Sequence, residues 1–165
     1  MDKEIKIKDV LKEFEEKLPK FSDGRIDYSH SDKAPVLTCF VRFRDKILLL
    51  KRSSKVRAYQ GKWNTVAGYL DESKPIREKV FDELKEELGI LQKDILRIKV
   101  GLPYEFFDSD ISKTWIVHPA LVELKQKPNI KLNFEHTEYK WINPFDIKKY
   151  KTPPAFEESL RRVLL

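Results

Sequence analysis

The chain has 165 residues, 41% of them hydrophobic and 12% aromatic, which excludes a disordered polypeptide and suits one domain with a sizeable core. Its net charge of +6 favours anionic partners, but Lys alternates with Asp and Glu and no long basic block occurs, so the charge fits phosphate groups better than a nucleic-acid surface. No run of about 18 apolar residues exists to span a membrane, the first six residues lack the apolar core of a signal peptide, and the single Cys39 excludes an intrachain disulfide; a cytoplasmic protein is expected.

In chain order, Val10, Leu11, Phe14 and Leu18 recur at helical spacing and predict a helix over about 8–18, although Ile5 and Ile7 before them alternate like a strand. Residues 21–35 are polar and read as a loop. Residues 35–43 are rich in β-formers and predict a strand. A turn at Arg44, Asp45 and Lys46 returns the chain through Ile47, Leu48, Leu49 and Leu50, a strand buried on both faces. Cys39, on the first strand, reads as a core thiol. Lys51, Arg52, Lys55 and Arg57 then place four cations within seven residues, a solvated loop or a phosphate clamp. Trp63 is expected in the core, at the start of a short strand that runs to Gly68.

A helix follows. Ser73 is a candidate N-cap, and Pro75 stands near the first turn, where a missing N–H costs nothing. Ile76, Val80, Leu84 and Leu88 form a packing stripe, and Gly89 is the expected stop. Beside the stripe, Glu83, Glu86 and Glu87 are spaced i, i+3, i+4 and share one arc of the helix. Three carboxylates so close repel one another, and a shared hard cation relieves the repulsion; alone, such a run is commonly a solvated face. Further strands are expected at 95–102, 114–124 and 138–142. Asn143 and Pro144 open a short helical turn, and Pro153 and Pro154 open a terminal helix with Phe156, Leu160, Val163 and Leu164 at helical spacing. Strands on either side of a helix predict an α/β (α+β) sandwich around a mixed sheet. One domain over 1–165 is expected, with an N-terminal extension at 1–34, a core at 35–150 and a C-terminal helix at 151–165.

Residues 68–90 resemble the Nudix box, G-x5-E-x7-R-E-U-x-E-E-x-G-U, with U a bulky apolar residue. Gly68, Glu83, Leu84, Glu86, Glu87, Gly89 and Ile90 match at the correct spacing. Lys74 stands where the motif has its first Glu, and Asp82 where it has Arg. In the family those two form an ion pair that braces the loop against the helix. Here both signs are reversed, so the same brace is available from Lys74 and Asp82, with Gly68 and Gly89 framing it. Lys79, four residues before Glu83, faces the acidic arc.

The resemblance implies a Nudix-like α/β/α sandwich and a Mg²⁺- or Mn²⁺-dependent hydrolase that cleaves the diphosphate linkage of a nucleoside diphosphate derivative by attack of water on phosphorus. It implies Glu83, Glu86 and Glu87 as metal ligands, with the Ala67 carbonyl and a distant carboxylate completing the shell. Glu135 is the candidate for that distant acid, and Glu83 and Glu135 are the candidate catalytic carboxylates. Glu138 reads as structural, His136 as a less favoured base, and Glu105 and Asp108 as outside candidates. Arg52, Lys55 and Arg57 are candidate phosphate contacts. Tyr104, Phe106 and Phe107 are candidates to stack a base. Two other readings stay open: a silent Nudix-fold module binding a nucleotide or RNA, and an isopentenyl-diphosphate isomerase-like enzyme. A monomer and a homodimer are both compatible with the sequence.

Overall fold

The computed structural model describes residues 6–164. Among them are three helices, α1 (Ile7–Lys17), α2 (Ile76–Leu88) and α3 (Phe156–Leu164). The strands are β1 (Lys33–Phe43), β2 (Lys46–Arg52), β3 (Trp63–Asn64), β4 (Val66–Tyr69), β5 (Ile95–Val100), β6 (Tyr104–Asp108), β7 (Lys113–Leu124) and β8 (His136–Ile142). The strand-like alternation through Ile5 lies outside the described residues.

β1 is the axis of one mixed sheet. Along one edge it runs parallel to β7, from Lys33 opposite Thr114 to Arg42 opposite Glu123. Along the other it pairs antiparallel with β4, and then with β2 beyond the turn at Arg44. β7 carries β6 on its first half and β5 on its second. β2 carries β3 and β8.

Strand alternation sends neighbouring side chains to opposite faces, so β1 and β2 feed two separate cores. On one face Leu37, Cys39, Val41, Leu48 and Leu50 pack with Ile7, Leu11 and Phe14 of α1 and with Ile76, Val80, Leu84 and Leu88 of α2. On the other, Phe40, Ile47 and Leu49 pack with Ile147 of the 3-10 turn Pro144–Lys149 and with Phe156, Leu160 and Val163 of α3. The result is the expected α/β/α sandwich. Leu84 is fully buried, and truncating such a side chain to Ala costs about 2–5 kcal/mol.

Some local expectations are corrected. β1 begins at Lys33, so the end of the predicted loop belongs to the sheet. The strand leading to Gly68 is split at Thr65, whose hydroxyl donates to the Cys39 carbonyl (2.7 Å). Ser73 does not cap α2. Pro75, with φ −54° and ψ 142°, is the residue before the first helical turn, which leaves Ser73 too early to reach the free amides. Gly89 ends α2 in the left-handed region (φ 71°), where the Gly89 amide donates to the Lys85 carbonyl and the Ile90 amide to the Leu84 carbonyl. Trp63 is half-buried at the rim of the α3-side core, edge-on to Tyr150, with Lys140 over its ring.

Candidate active site

α2 packs on one face of the sheet, and β4 places Gly68 against Glu83. A Cβ on Gly68 would stand 2.6 Å from Glu83 Oε1 and 2.7 Å from its carboxyl carbon, so glycine is what lets the Glu83 carboxylate settle on the strand. Glu83 and Glu87, one helical turn apart, are both buried, while Glu86 faces solvent. Burial raises the pKa of Glu83, and the Lys79 charge opposes the rise. Glu87 lies well above the usual carboxylate range because it is buried and faces the charges of Glu135 and Glu83.

Glu135 reaches this group from the turn before β8. Its amide donates to Asn133 Oδ1 (3.0 Å) and its carbonyl accepts from the Ser53 amide (2.8 Å), which ties the turn to the end of β2. Half-buried beside Glu87, it too has a raised pKa, mainly from burial. The next residue, His136, is buried, and its Nδ1 stands 3.8 Å from Glu87 Oε1. Burial and the nearby Arg52 charge lower its pKa to about 4, so its ring is neutral at physiological pH. Ligand atoms of Glu87, Glu135 and His136 all lie within 4.8 Å of one another. Glu87 Oε2 and both ring nitrogens of His136 are buried without hydrogen-bond partners. Buried polar atoms left unpaired are costly, and a cation among these donors would satisfy them.

The brace residues also meet. Lys74 Nζ donates to Asp82 Oδ2 (2.6 Å) and stands 3.2 Å from Glu72. Lys79 is buried with its ammonium 3.1 Å from Glu83 Oε1 and 3.3 Å from Asp71 Oδ1. Its pKa is raised: burial opposes the charge, but Glu83 and Asp71 more than offset it.

A cleft of about 350 Å³ opens beside the carboxylates. Arg52, Lys55, Arg57, Ala67, Gly68, Phe106 and Glu135 line it, which brings the three cationic candidates and the distant carboxylate to one place. Arg52 is held by its Nε–H bond to the Ala58 carbonyl (2.8 Å). Tyr104 does not line the cleft itself: its hydroxyl lies behind the wall, between the Ala155 carbonyl and Ser159, which do line it, with Arg162 over the ring. Phe107 points to solvent on the alternate face of β6. Glu105 pairs with Lys33 and Glu138 with Lys51. Asp108 is buried and accepts from the Tyr59 hydroxyl.

The cleft also holds residues that sequence reading missed. Tyr69 stacks on Tyr28 and leans against Trp115, and Lys113 lies over both the Tyr69 and Trp115 rings. Trp115 Nε1 donates to the Tyr59 hydroxyl (3.1 Å). Strand alternation was the available signal, since Tyr69 follows Ala67 at the same-face spacing. Cys39 is fully buried and its thiol pKa is pushed far up, which removes it as an acid or base for isomerase chemistry.

An α+β sandwich with a helix-borne carboxylate cluster beside a cationic cleft suits a pyrophosphohydrolase acting on acid anhydrides. The chain belongs to the Nudix family: the NUDIX domain family model matches residues 32–163. It is 24% identical over 123 residues to the nucleoside triphosphatase NudI of Escherichia coli, covering 69% of this chain and 84% of that protein. Among solved structures it is similar to the MutT protein of Methanosarcina mazei Go1 (26% identity, TM-score 0.62, 79% of this chain and 91% of that one). It also shares its fold with the NUDIX domain of Shewanella oneidensis NrtR, complexed with ADP ribose (16% identity, TM-score 0.63, 78% and 86% covered). No helix among the described residues is long and apolar enough to cross a membrane.

Proposed function

We propose that this chain hydrolyses the diphosphate linkage of a nucleoside diphosphate derivative with Mg²⁺ or Mn²⁺. The observation that carries the reading is that Arg52, Lys55 and Arg57 line the same cleft as Glu135, Ala67 and Gly68. Three cations in one cleft with the Glu135 carboxylate suit a substrate whose phosphates lie among them. α1 and α3 cover opposite faces of one sheet, which supports reading residues 1–165 as one Nudix-like domain.

Glu86, Glu87, Glu135 and the Ala67 carbonyl would hold the divalent ion, with Glu83 beside them on the same helix face. Once bound there, the ion would neutralise phosphate charge and acidify a bound water. Arg52, Lys55 and Arg57 neutralise and orient the phosphates. Glu135, half-exposed to the cleft, takes a proton from the attacking water at its carboxylate oxygen. The water oxygen bonds to phosphorus, and the bridging P–O bond breaks with its electron pair on the leaving phosphate. Tyr69, Trp115 and Phe106 give the cleft aromatic faces suited to a nucleobase. ADP ribose, bound in the NrtR structure, is a substrate type of this kind.

The test is a panel of nucleoside triphosphates, dinucleoside polyphosphates and nucleotide sugars, incubated with each metal and read by product mass. Cleavage of at least one, lost in the Glu86→Gln/Glu87→Gln double variant, is the expected result; activity that persists in that variant refutes the assignment. A second reading, a silent nucleotide binder, draws on the Lys79–Glu83 ion pair. It predicts nucleotide binding without turnover and no divalent-ion uptake at millimolar metal in calorimetry.

A further inference from the structure

We infer that His136 is a ligand of the divalent ion, so that the centre has a mixed nitrogen and oxygen donor set and prefers Mn²⁺ and later transition metals over Mg²⁺. The inference rests on the hydrolase reading for the presence of an ion, and on four observations for the identity of the donor.

First, His136 Nδ1 stands 3.8 Å from Glu87 Oε1. That is too far for a hydrogen bond and right for two donors of one ion, which at metal–ligand distances of about 2.1 Å stand roughly 3–4 Å apart. Second, Glu135 places a carboxylate oxygen in the same group, all within 4.8 Å. Third, neither ring nitrogen of His136 has a hydrogen-bond partner although the side chain is fully buried, and Glu87 Oε2 beside it is equally unpaired. A buried imidazole ordinarily satisfies at least one nitrogen. Fourth, the acid one turn earlier on α2 is already engaged: Lys79 lies 3.1 Å from Glu83 and is held from behind by Asp71. With Glu83 joined to an internal cation, the donors left for a metal shift along the helix toward Glu87, Glu135 and His136.

The chemistry of that set sets the preference. Mg²⁺ favours an all-oxygen octahedron and retains its waters, whereas imidazole suits Mn²⁺ and the later first-row ions increasingly well. Position supports the role. His136 opens β8 opposite Arg52 of β2, so its backbone is fixed by the sheet rather than by a mobile loop.

The experiment uses the whole chain loaded with Mn²⁺ and read by pulsed electron paramagnetic resonance. Nitrogen-14 modulation from a directly bound imidazole is expected. It should change to the nitrogen-15 pattern when histidine is isotopically labelled, and should disappear in His136→Gln, with His118→Gln as the control that keeps it. In parallel, equilibrium dialysis should give His136→Gln a Mn²⁺ affinity at least about tenfold weaker, with Mg²⁺ affinity changed less. Because the spectrum is taken on the unaltered chain, a variant that fails to fold leaves the main readout standing. Bound Mn²⁺ with only oxygen-donor features, or no bound Mn²⁺ at millimolar metal, overturns the inference. Nitrogen modulation with no hydrolysis of any panel substrate keeps the ligand assignment and removes the hydrolase reading; hydrolysis without the modulation does the reverse.

Discussion

Lys74 Nζ lies 2.6 Å from Asp82 Oδ2, so the loop before α2 is clipped to the helix by an ion pair whose signs are the reverse of those in the Nudix motif. Reversal of both partners preserves the attraction that reversal of one would destroy. Asp82 is half-exposed, so the pair is worth about 0.5 kcal/mol. Lys74→Glu and Asp82→Arg should each lower the thermal midpoint slightly, and the double variant should recover it. A double-mutant cycle by urea unfolding measures the coupling; a cycle that sums to zero shows that the clip adds nothing.

Gly68→Ala should leave the fold nearly as stable as before and disable the site. The added methyl meets the end of the Glu83 side chain, which swings away cheaply, rather than backbone, which would not. Glu83 is in contact with Glu87, so displacing it by an ångström disturbs that donor and is expected to reduce turnover about 100-fold. Circular dichroism and thermal melting check the fold while turnover is measured on the same sample.

Lys79→Ala should split metal-free stability from metal affinity. Without the ammonium, Asp71 and Glu83 lose their buried partner, and metal-free protein should be about 3 kcal/mol less stable. The freed Glu83 then becomes available to a cation, so divalent ions should bind more tightly and restore part of the loss. Urea titrations in chelator and in Mn²⁺ test both halves; unchanged metal affinity would mean that Lys79 does not compete for the site.

His118 makes stability fall in mild acid. The ring is buried on β7, its Nε2 has no partner, and burial lowers its pKa from 6.5 to about 4. The folded chain therefore prefers the neutral ring. This contribution is complete above pH 6.5, declines as the pH falls toward 4, and is constant below that. At pH 5 the loss is about 2 kcal/mol. Unfolding of the parent and of His118→Leu at pH 7.5 and pH 5 isolates it: the difference between the two pH values should shrink by that amount in the variant.

The sandwich was legible because its signals are local. The β-former-rich run of β1, the continuous apolar run of β2, a four-residue stripe on α2 and the Gly89 stop each occupy a short window, and the box glutamates sit within five residues. Glu135 was reachable through its place before a strand. The Lys79–Asp71 contact was not, because Asp71 lies in an irregular loop whose course depends on how Ile26 and Tyr28 pack against it: the Ile26 amide donates to the Asp71 carbonyl, and the Tyr28 hydroxyl to Leu70. The error over Tyr104 has a similar source. Its neighbour Phe106 lines the cleft, but Ala155, just before α3, and Ser159 of α3, about fifty positions later, meet its hydroxyl. His136 as a metal donor depends on the spatial approach of β8 to α2, which no local pattern encodes.

The parallel ladder between β1 and β7 also governs how the protein comes into being. Arg42 and Glu123 meet across it although 81 positions separate them, and β2 to β6 together with α2 all lie in the intervening segment. Closing so long a loop precedes the reward of the central pairing, which slows folding relative to a helical protein of this size. On the ribosome, the first long strand must wait for more than sixty further residues before its parallel neighbour emerges. Until then α2 has only β1, β2 and β4 to lie against, and Glu135 follows β7, so the carboxylate group is completed late in synthesis.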